Sequence, residues 1–353
     1  MNIAFFGSSL VSSYWNGAAT YYRGLVNGLA RRGHHVVFYE PDAFRRQQHR
    51  DIEDPPWADI VVWEPTEARA VALVRAARNF DVVVKTSGVG VLDAELEREV
   101  ARLHGPLRLF WDVDAPATLA RVENNRADPF RELIGSYDLV LTYGGGDPVI
   151  EHYMQLGARD CACVYNALDP ETHYPAASET RFEGDLLFLG NRLPDREARV
   201  HEFFIRAAEL ASDRSFLLGG SGWEDVPVPR NVHLLGHVGT ADHNTLNSSS
   251  LAVLNVTRDS MAANGWSPAT RVFEACGAGA CLITDAWEGI ELFLEPNREV
   301  LVAGDGEEVA RHLTELDPVR ARAIGAAGRT RVRREHTYEL RAEQVERLLN
   351  GEP

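Results

Sequence analysis

Apolar runs of three to five residues, separated by stretches whose apolar positions fall three and four apart, recur along most of the chain. A run that short between turn formers reads as a buried strand, and the three-four spacing is one face of a helix. Their alternation predicts parallel sheets with helices on both sides. In the first half the strands are expected at Ile3–Phe6, Val36–Tyr39, Ile60–Trp63, Val82–Lys85, Leu107–Trp111, Leu139–Thr142 and Ala162–Tyr165. Between the first two, Ala18, Tyr22, Leu25, Val26 and Leu29 mark the buried face of a helix. It ends at Arg31-Arg32-Gly33, with basic residues at the negative helix end and a glycine terminator.

From Asn166 to Pro175 the periodicity stops among turn formers and two prolines, which marks a linker. A second alternating series follows, with strands at Leu186–Leu189, Ser215–Leu218, Val232–Leu235, Leu251–Asn255, Cys281–Thr284 and Val300–Val302. Helices are expected at Arg196–Ala211, Pro268–Ala278 and Gly306–Leu316, and over the Arg/Glu-rich stretch Pro318–Leu349. The fold class is therefore α/β: two doubly wound, Rossmann-like domains facing each other across a cleft, with ligands beyond the carboxyl ends of the strands.

Charge narrows the partners. Thirty-six Lys and Arg against 52 Asp and Glu in 353 residues give a formal charge of −16. Such a surface repels phosphate backbones and anionic lipid, so nucleic acid is not an expected partner. An anionic small ligand would need a local cluster of arginines. No run approaches the roughly 20 apolar residues that span a bilayer, and no signal peptide is evident. The four cysteines lack the paired spacing of a zinc site. They read as buried and reduced, from which the cytoplasm is expected; no G-x-G-x-x-G fingerprint follows the first strand, so no resident cofactor is expected.

The segment from Asn264 to Asp285 carries the most chemistry. Ser267 before Pro268 reads as a helix cap followed by proline at the first helical position, and a helix start can seat a phosphate. Arg271 and Glu274 share a helix face three residues apart. The guanidinium suits a diphosphate and the carboxylate suits a ribose diol; an ordinary solvated Arg–Glu pair has the same spacing. Strand ends supply further candidates: Gly190 with Arg192 and Arg196, Gly220 in a glycine-rich turn before Trp223, and His237-Val238. In the first half, Asp112 and Asp114 follow a strand, where a carboxylate can take a proton from an acceptor hydroxyl. Asp114 is the first choice for base, although either aspartate could instead cap the next helix. Ser9, Gly17, Glu64 and Ser87 occupy similar positions and could line an acceptor site or simply form turns.

The pattern Ser-Pro-x-x-Arg-x-Phe-Glu-Ala-x-Gly-x-Gly over Ser267–Gly279 resembles the donor site of GT-B glycosyltransferases, and within them the CgeB-like group, related to family-4-type enzymes. The resemblance continues through Gly289-Ile-Glu291, Glu299–Val302 and His336-Thr337-Tyr338, and at the first helix through Gly17 and Leu29–Val36. It implies a nucleoside-diphosphate sugar, a UDP-sugar above all, as co-substrate without a metal. Glu274 would hold the ribose, and Arg271, Arg192 and Arg196 the diphosphate. It also implies a transferase of the hexosyltransferase class and a hydroxyl-bearing small-molecule or glycan acceptor on the N-terminal side. The domains would be 1–165, rejoined by a terminal helix at 331–353, and 166–330. The family-4-type E-x7-E pattern would place its first glutamate at Trp266, leaving Asn264 or Asp259 for that role, or a different chemistry. Two other readings of the same fold are a nucleotide-sugar epimerase or hydrolase, using the carboxylates with His34 or His237, and a non-catalytic binding or assembly protein.

Overall fold

The computed structural model describes residues 1–352. The chain divides into two compact units, one formed by Met1–Asn166 together with the chain from Tyr338 onward, the other by Ala167–Thr337.

The first unit holds a seven-stranded sheet: β1 (Asn2–Phe6), β2 (His35–Pro41), β3 (Asp59–Trp63), β4 (Val82–Thr86), β5 (Leu107–Asp112), β6 (Leu139–Thr142) and β7 (Cys161–Cys163). All pairings are parallel, in the order β3-β2-β1-β4-β5-β6-β7. The second unit holds β8 (Gly184–Leu189), β9 (Phe216–Gly219), β10 (Val232–Gly236), β11 (Ser250–Asn255), β12 (Leu282–Asp285) and β13 (Leu301–Ala303). They run parallel in the order β10-β9-β8-β11-β12-β13. Each order reverses once, between β1 and β4 and between β8 and β11. In open α/β sheets such a switch point is where ligands bind.

Strands buried on both faces must be apolar throughout, which is why they read as unbroken runs. Ala4, Phe5, Val83, Phe110, Leu186, Val253 and Ile283 are all fully or almost fully buried. The helices depart from the sequence pattern in instructive ways. The first begins at Ala19, so Gly17 lies two residues before it, exposed. The helix expected at Arg196–Ala211 contains a π-helical turn, His201–Ile205, between α-helical ends. The terminal pattern breaks at His336-Thr337 into Pro318–Glu335 and Tyr338–Leu349. Leu168 holds this break, bonding the His336 carbonyl through its N–H at 2.8 Å, and His336 packs against Phe273 and Phe293. The chain thus leaves the second unit after Thr337, not at 331.

Helix Tyr338–Leu349 lies on helix Ala19–Arg31 of its own unit. Gly24 and Gly28 make this approach possible. A Cβ at Gly24 would collide with the Tyr338 ring, and one at Gly28 would lie 2.9 Å from the Ala342 Cβ. Arg32 pairs with Glu346 at the far end. No helix among the described residues is long and apolar enough to cross a membrane. The four cysteines are free and buried.

Candidate donor site and acceptor-side edge

At the carboxyl edge of the second unit's sheet, glycine backbones stitch three strand ends together. Gly190 N–H bonds the Gly219 carbonyl at 2.9 Å, and Gly220 N–H bonds the Gly236 carbonyl at 2.7 Å. Gly220 has φ +120°, and any Cβ there would run into the Gly190 carbonyl, so no other residue fits. Trp223 is buried and bonds Gly190 through its indole N–H at 2.8 Å. It is part of the core.

Two guanidiniums converge on this edge. Arg196 donates to the Asn191 carbonyl at 2.7 Å and lies over the Phe188 ring, while its Nε has no hydrogen-bond partner. Burial, reinforced by the charge of Arg271, lowers its pKa to about 10. Arg271 sits 3.3 Å from the Glu274 carboxylate through Nη1, and neither its Nε nor its Nη1 has a hydrogen-bond partner. Two neighbouring cations with donors to spare form a site short of an anion. Arg192 is different: it is exposed and paired with Glu197 at 2.5 Å. His237 is exposed, and Val238 is half-buried.

Glu274 is buried in helix Thr270–Gly277. Burial pushes its pKa up, but the charges of Arg271, His173 and His243 outweigh that and hold it below the usual carboxylate range. The side chains of His173, His243 and Glu274 offer ligand atoms within 4.8 Å of one another. Gly277, one turn beyond Glu274, lets the linker pack closely, since a Cβ there would lie 3.0 Å from the His173 carbonyl. Asn244 then clamps the linker, donating to the Thr172 carbonyl at 2.8 Å and accepting from Tyr174 N–H at 3.2 Å. The histidines were not among the sequence candidates. One lies in a linker and the other 70 positions later, with no shared spacing to link them.

Ser267 does not cap the helix. The helix begins at Thr270 with Ala269 at the cap position, and Ser267 Oγ donates to the Gly265 carbonyl at 2.8 Å. Trp266, at φ +42°, turns the chain before the serine can reach a helical N–H.

In the first unit, the carboxyl edge brings together the ends of β1, β3, β4 and β5, but most of the expected residues there are consumed internally. Asp112 is fully buried. It accepts from Tyr153 Oη at 2.5 Å, Asp114 N–H at 2.9 Å and Thr118 Oγ1 at 3.0 Å, and also from Ser87. Burial raises its pKa despite these bonds. With no exposed surface it cannot meet an acceptor, so the catalytic expectation for Asp112 gives way to a structural role. Ser87 Oγ accepts from Val113 N–H at 2.8 Å. Ser9 is buried and donates to Glu40 at 3.1 Å. Neither serine lines a surface. Asp114 stands at the start of helix Ala115–Asn124, half-exposed and without a side-chain cap bond. Glu64 and Gly17 are exposed.

Residues 196–347 match the family model described as glycosyl transferase-like. No curated protein matches the chain in sequence. Among solved structures, sucrose-phosphate synthase from Thermosynechococcus elongatus is similar at 16% identity and a TM-score of 0.70, covering 99% of this chain and 98% of that one. HepE from Anabaena, solved with UDP and glucose, is similar at 14% identity and 0.69, covering 99% and 100%. An alpha-glucosyltransferase in complex with UDP-glucose and DNA is similar at 9% identity and 0.71, covering 99% of each chain. A glycosyl transferase-like match over most of the second unit supports a glycosyltransferase, and the two-sheet architecture shared with these structures along the whole chain is the GT-B fold.

Proposed function

We propose that the protein transfers a sugar from a nucleoside-diphosphate sugar, a UDP-sugar by resemblance, to a hydroxyl-bearing small-molecule or glycan acceptor, within the CgeB-like group. The observation that carries this reading is the pair of guanidiniums, Arg196 and Arg271, with nitrogens lacking hydrogen-bond partners beside the buried Glu274. A diphosphate satisfies both cations, and their charge stabilises it as the leaving group without a metal, a contribution of about 3–4 kcal/mol per well-placed donor. Glu274, held ionised, accepts the ribose hydroxyls. Asp114 is the base for the acceptor hydroxyl, because it is the strand-end aspartate that keeps exposed surface. The charge of −16 speaks against DNA as acceptor. The four free, buried cysteines suit a protein that works in the cytoplasm.

The test is a thermal-shift series with UDP, GDP, dTDP, ADP and CDP, repeated on Glu274→Ala, because a ligand of the folded state raises Tm with its concentration. One diphosphate should raise Tm, and the variant should lose that shift. If none of the five raises it, the donor-site reading is wrong.

A further inference from the structure

We propose that His173, His243 and Glu274 form a site for a zinc-class divalent cation, and that a cation there excludes the nucleotide. The second half rests on the donor reading above; the first does not.

The donor set is two imidazole nitrogens and one carboxylate oxygen, a combination found in zinc sites that keep a coordination position open. His173 Nε2 lies 3.7 Å from Glu274 Oε1, and the third ligand atom is within 4.8 Å of both. Ligand atoms around tetrahedral zinc are roughly 3.3–3.5 Å apart, given its bond lengths. Small side-chain movements close that difference.

The other ring nitrogens are already engaged. Thr172 Oγ1 lies 3.3 Å from the Asp169 carbonyl, which can only accept, so the hydroxyl proton points there. The hydroxyl oxygen is therefore the acceptor for His173 Nδ1–H at 2.9 Å. In the neutral imidazole that bond leaves the lone pair on Nε2, the nitrogen facing Glu274. His243 also bonds the Val238 backbone. Metal-binding histidines are oriented by such outer hydrogen bonds. A lone pair aimed at a carboxylate oxygen is unfavourable unless a positive charge lies between them, and either a proton on Nε2 or a bound cation supplies it.

Arg271 does not occupy that position. Its ion pair is with Oε2, leaving Oε1 toward the histidines. Glu274 can thus serve Arg271 with one oxygen and a cation with the other. It cannot then also hold a ribose diol, so cation and nucleotide compete.

The experiment is a titration of the full chain with Co2+, whose visible absorption reports tetrahedral coordination, followed by displacement with Zn2+. One Co2+ per chain is expected. His173→Ala or His243→Ala should weaken binding by more than the roughly 10–100-fold that loss of an outer-shell partner costs, and Thr172→Val should fall within that range. Melting curves of each variant check that it is folded. No tetrahedral signal, or binding that survives replacement of both histidines, overturns the site and leaves an imidazolium–carboxylate pair only. In the second arm, Zn2+ should weaken UDP binding to the native chain but not to His243→Ala. Zinc binding that leaves UDP affinity unchanged overturns the exclusion. If UDP fails to bind the native chain, the donor reading falls, while the Co2+ titration still decides the site.

Discussion

The carboxyl edges of the two sheets are built from the same strand order but differ in how they pair their buried charges. In the first unit the buried carboxylates are saturated. Glu40 receives Ser9 Oγ and Leu10 N–H, and Asp112 receives Tyr153, Thr118, Ser87 and the backbone of Asp114. In the second unit two guanidiniums keep donors without partners. Buried polar groups are normally satisfied from within. The buried Arg46 of the first unit also keeps an unbonded Nε, but its Nη1 and Nη2 meet the Ser8, Val89 and Trp15 carbonyls. Arg271 has neither Nε nor Nη1 hydrogen-bonded and stands beside a second such cation, Arg196, so the second edge is shaped for a ligand the chain does not supply. The fold alone would not separate the two edges, since a doubly wound sheet offers the same crevice in each.

The sharpest way to break the comparison is to exchange its aspartates. Asp114→Asn should lower kcat by about 10²–10⁴-fold, the usual contribution of a positioned general base, with Tm unchanged. Asp112→Ala should do the reverse. It strands at least three buried donors, for a loss of about 1–3 kcal/mol in stability, read by urea denaturation. A stable Asp112→Ala with lost activity would move the base to Asp112 and remove the distinction between the edges.

Arg271→Ala comes next. Loss of one donor aimed at developing negative charge should cost about 10²–10³-fold in kcat/KM. The nucleotide-induced rise in Tm should shrink with it. An unchanged kcat/KM would mean that the missing partners of Arg271 are not a diphosphate.

A prediction of intermediate size concerns the returning helix. Gly24→Val places two methyl groups where the Tyr338 ring lies, and overpacking of this kind costs about 1–3 kcal/mol. Stability should fall while nucleotide affinity in the second unit stays constant. A parallel loss of affinity would show that the donor edge depends on the first unit.

These contrasts also explain what the sequence could and could not reveal. The central strands were legible because burial on both faces demands unbroken apolar runs, and Ile3–Phe6 or Leu186–Leu189 can hardly be read otherwise; the edge strands β3 and β10 kept apolar residues although several of their positions are exposed. Arg271 and Glu274 were legible because helix spacing places them together. Ser267-Pro268 misled, since it has the composition of a helix start, yet the turn at Trp266 diverts the serine to Gly265. Asp112 and Asp114 were inseparable by pattern: two residues apart at a strand end, they differ only in the partners that tertiary packing brings. His173 and His243 left no signal at all, because their meeting depends on Gly277 and Asn244 holding a linker against two helices.

The smallest expected effect tests whether unpaired donors, rather than arginine as such, mark the donor edge. Arg192 follows the same strand as Arg196 and carries the same charge, but it is exposed and already holds Glu197. Exposed ion pairs contribute little and are screened by salt. Arg192→Ala should therefore change kcat/KM by no more than about threefold, measured beside Arg196→Ala at one ionic strength. Arg196 has a nitrogen with no hydrogen-bond partner and a desolvated charge, so its loss should fall nearer the Arg271→Ala result. Equal losses at both positions would mean that Arg192 leaves Glu197 to meet the diphosphate, and hydrogen-bond satisfaction would no longer distinguish ligand-binding arginines from the rest.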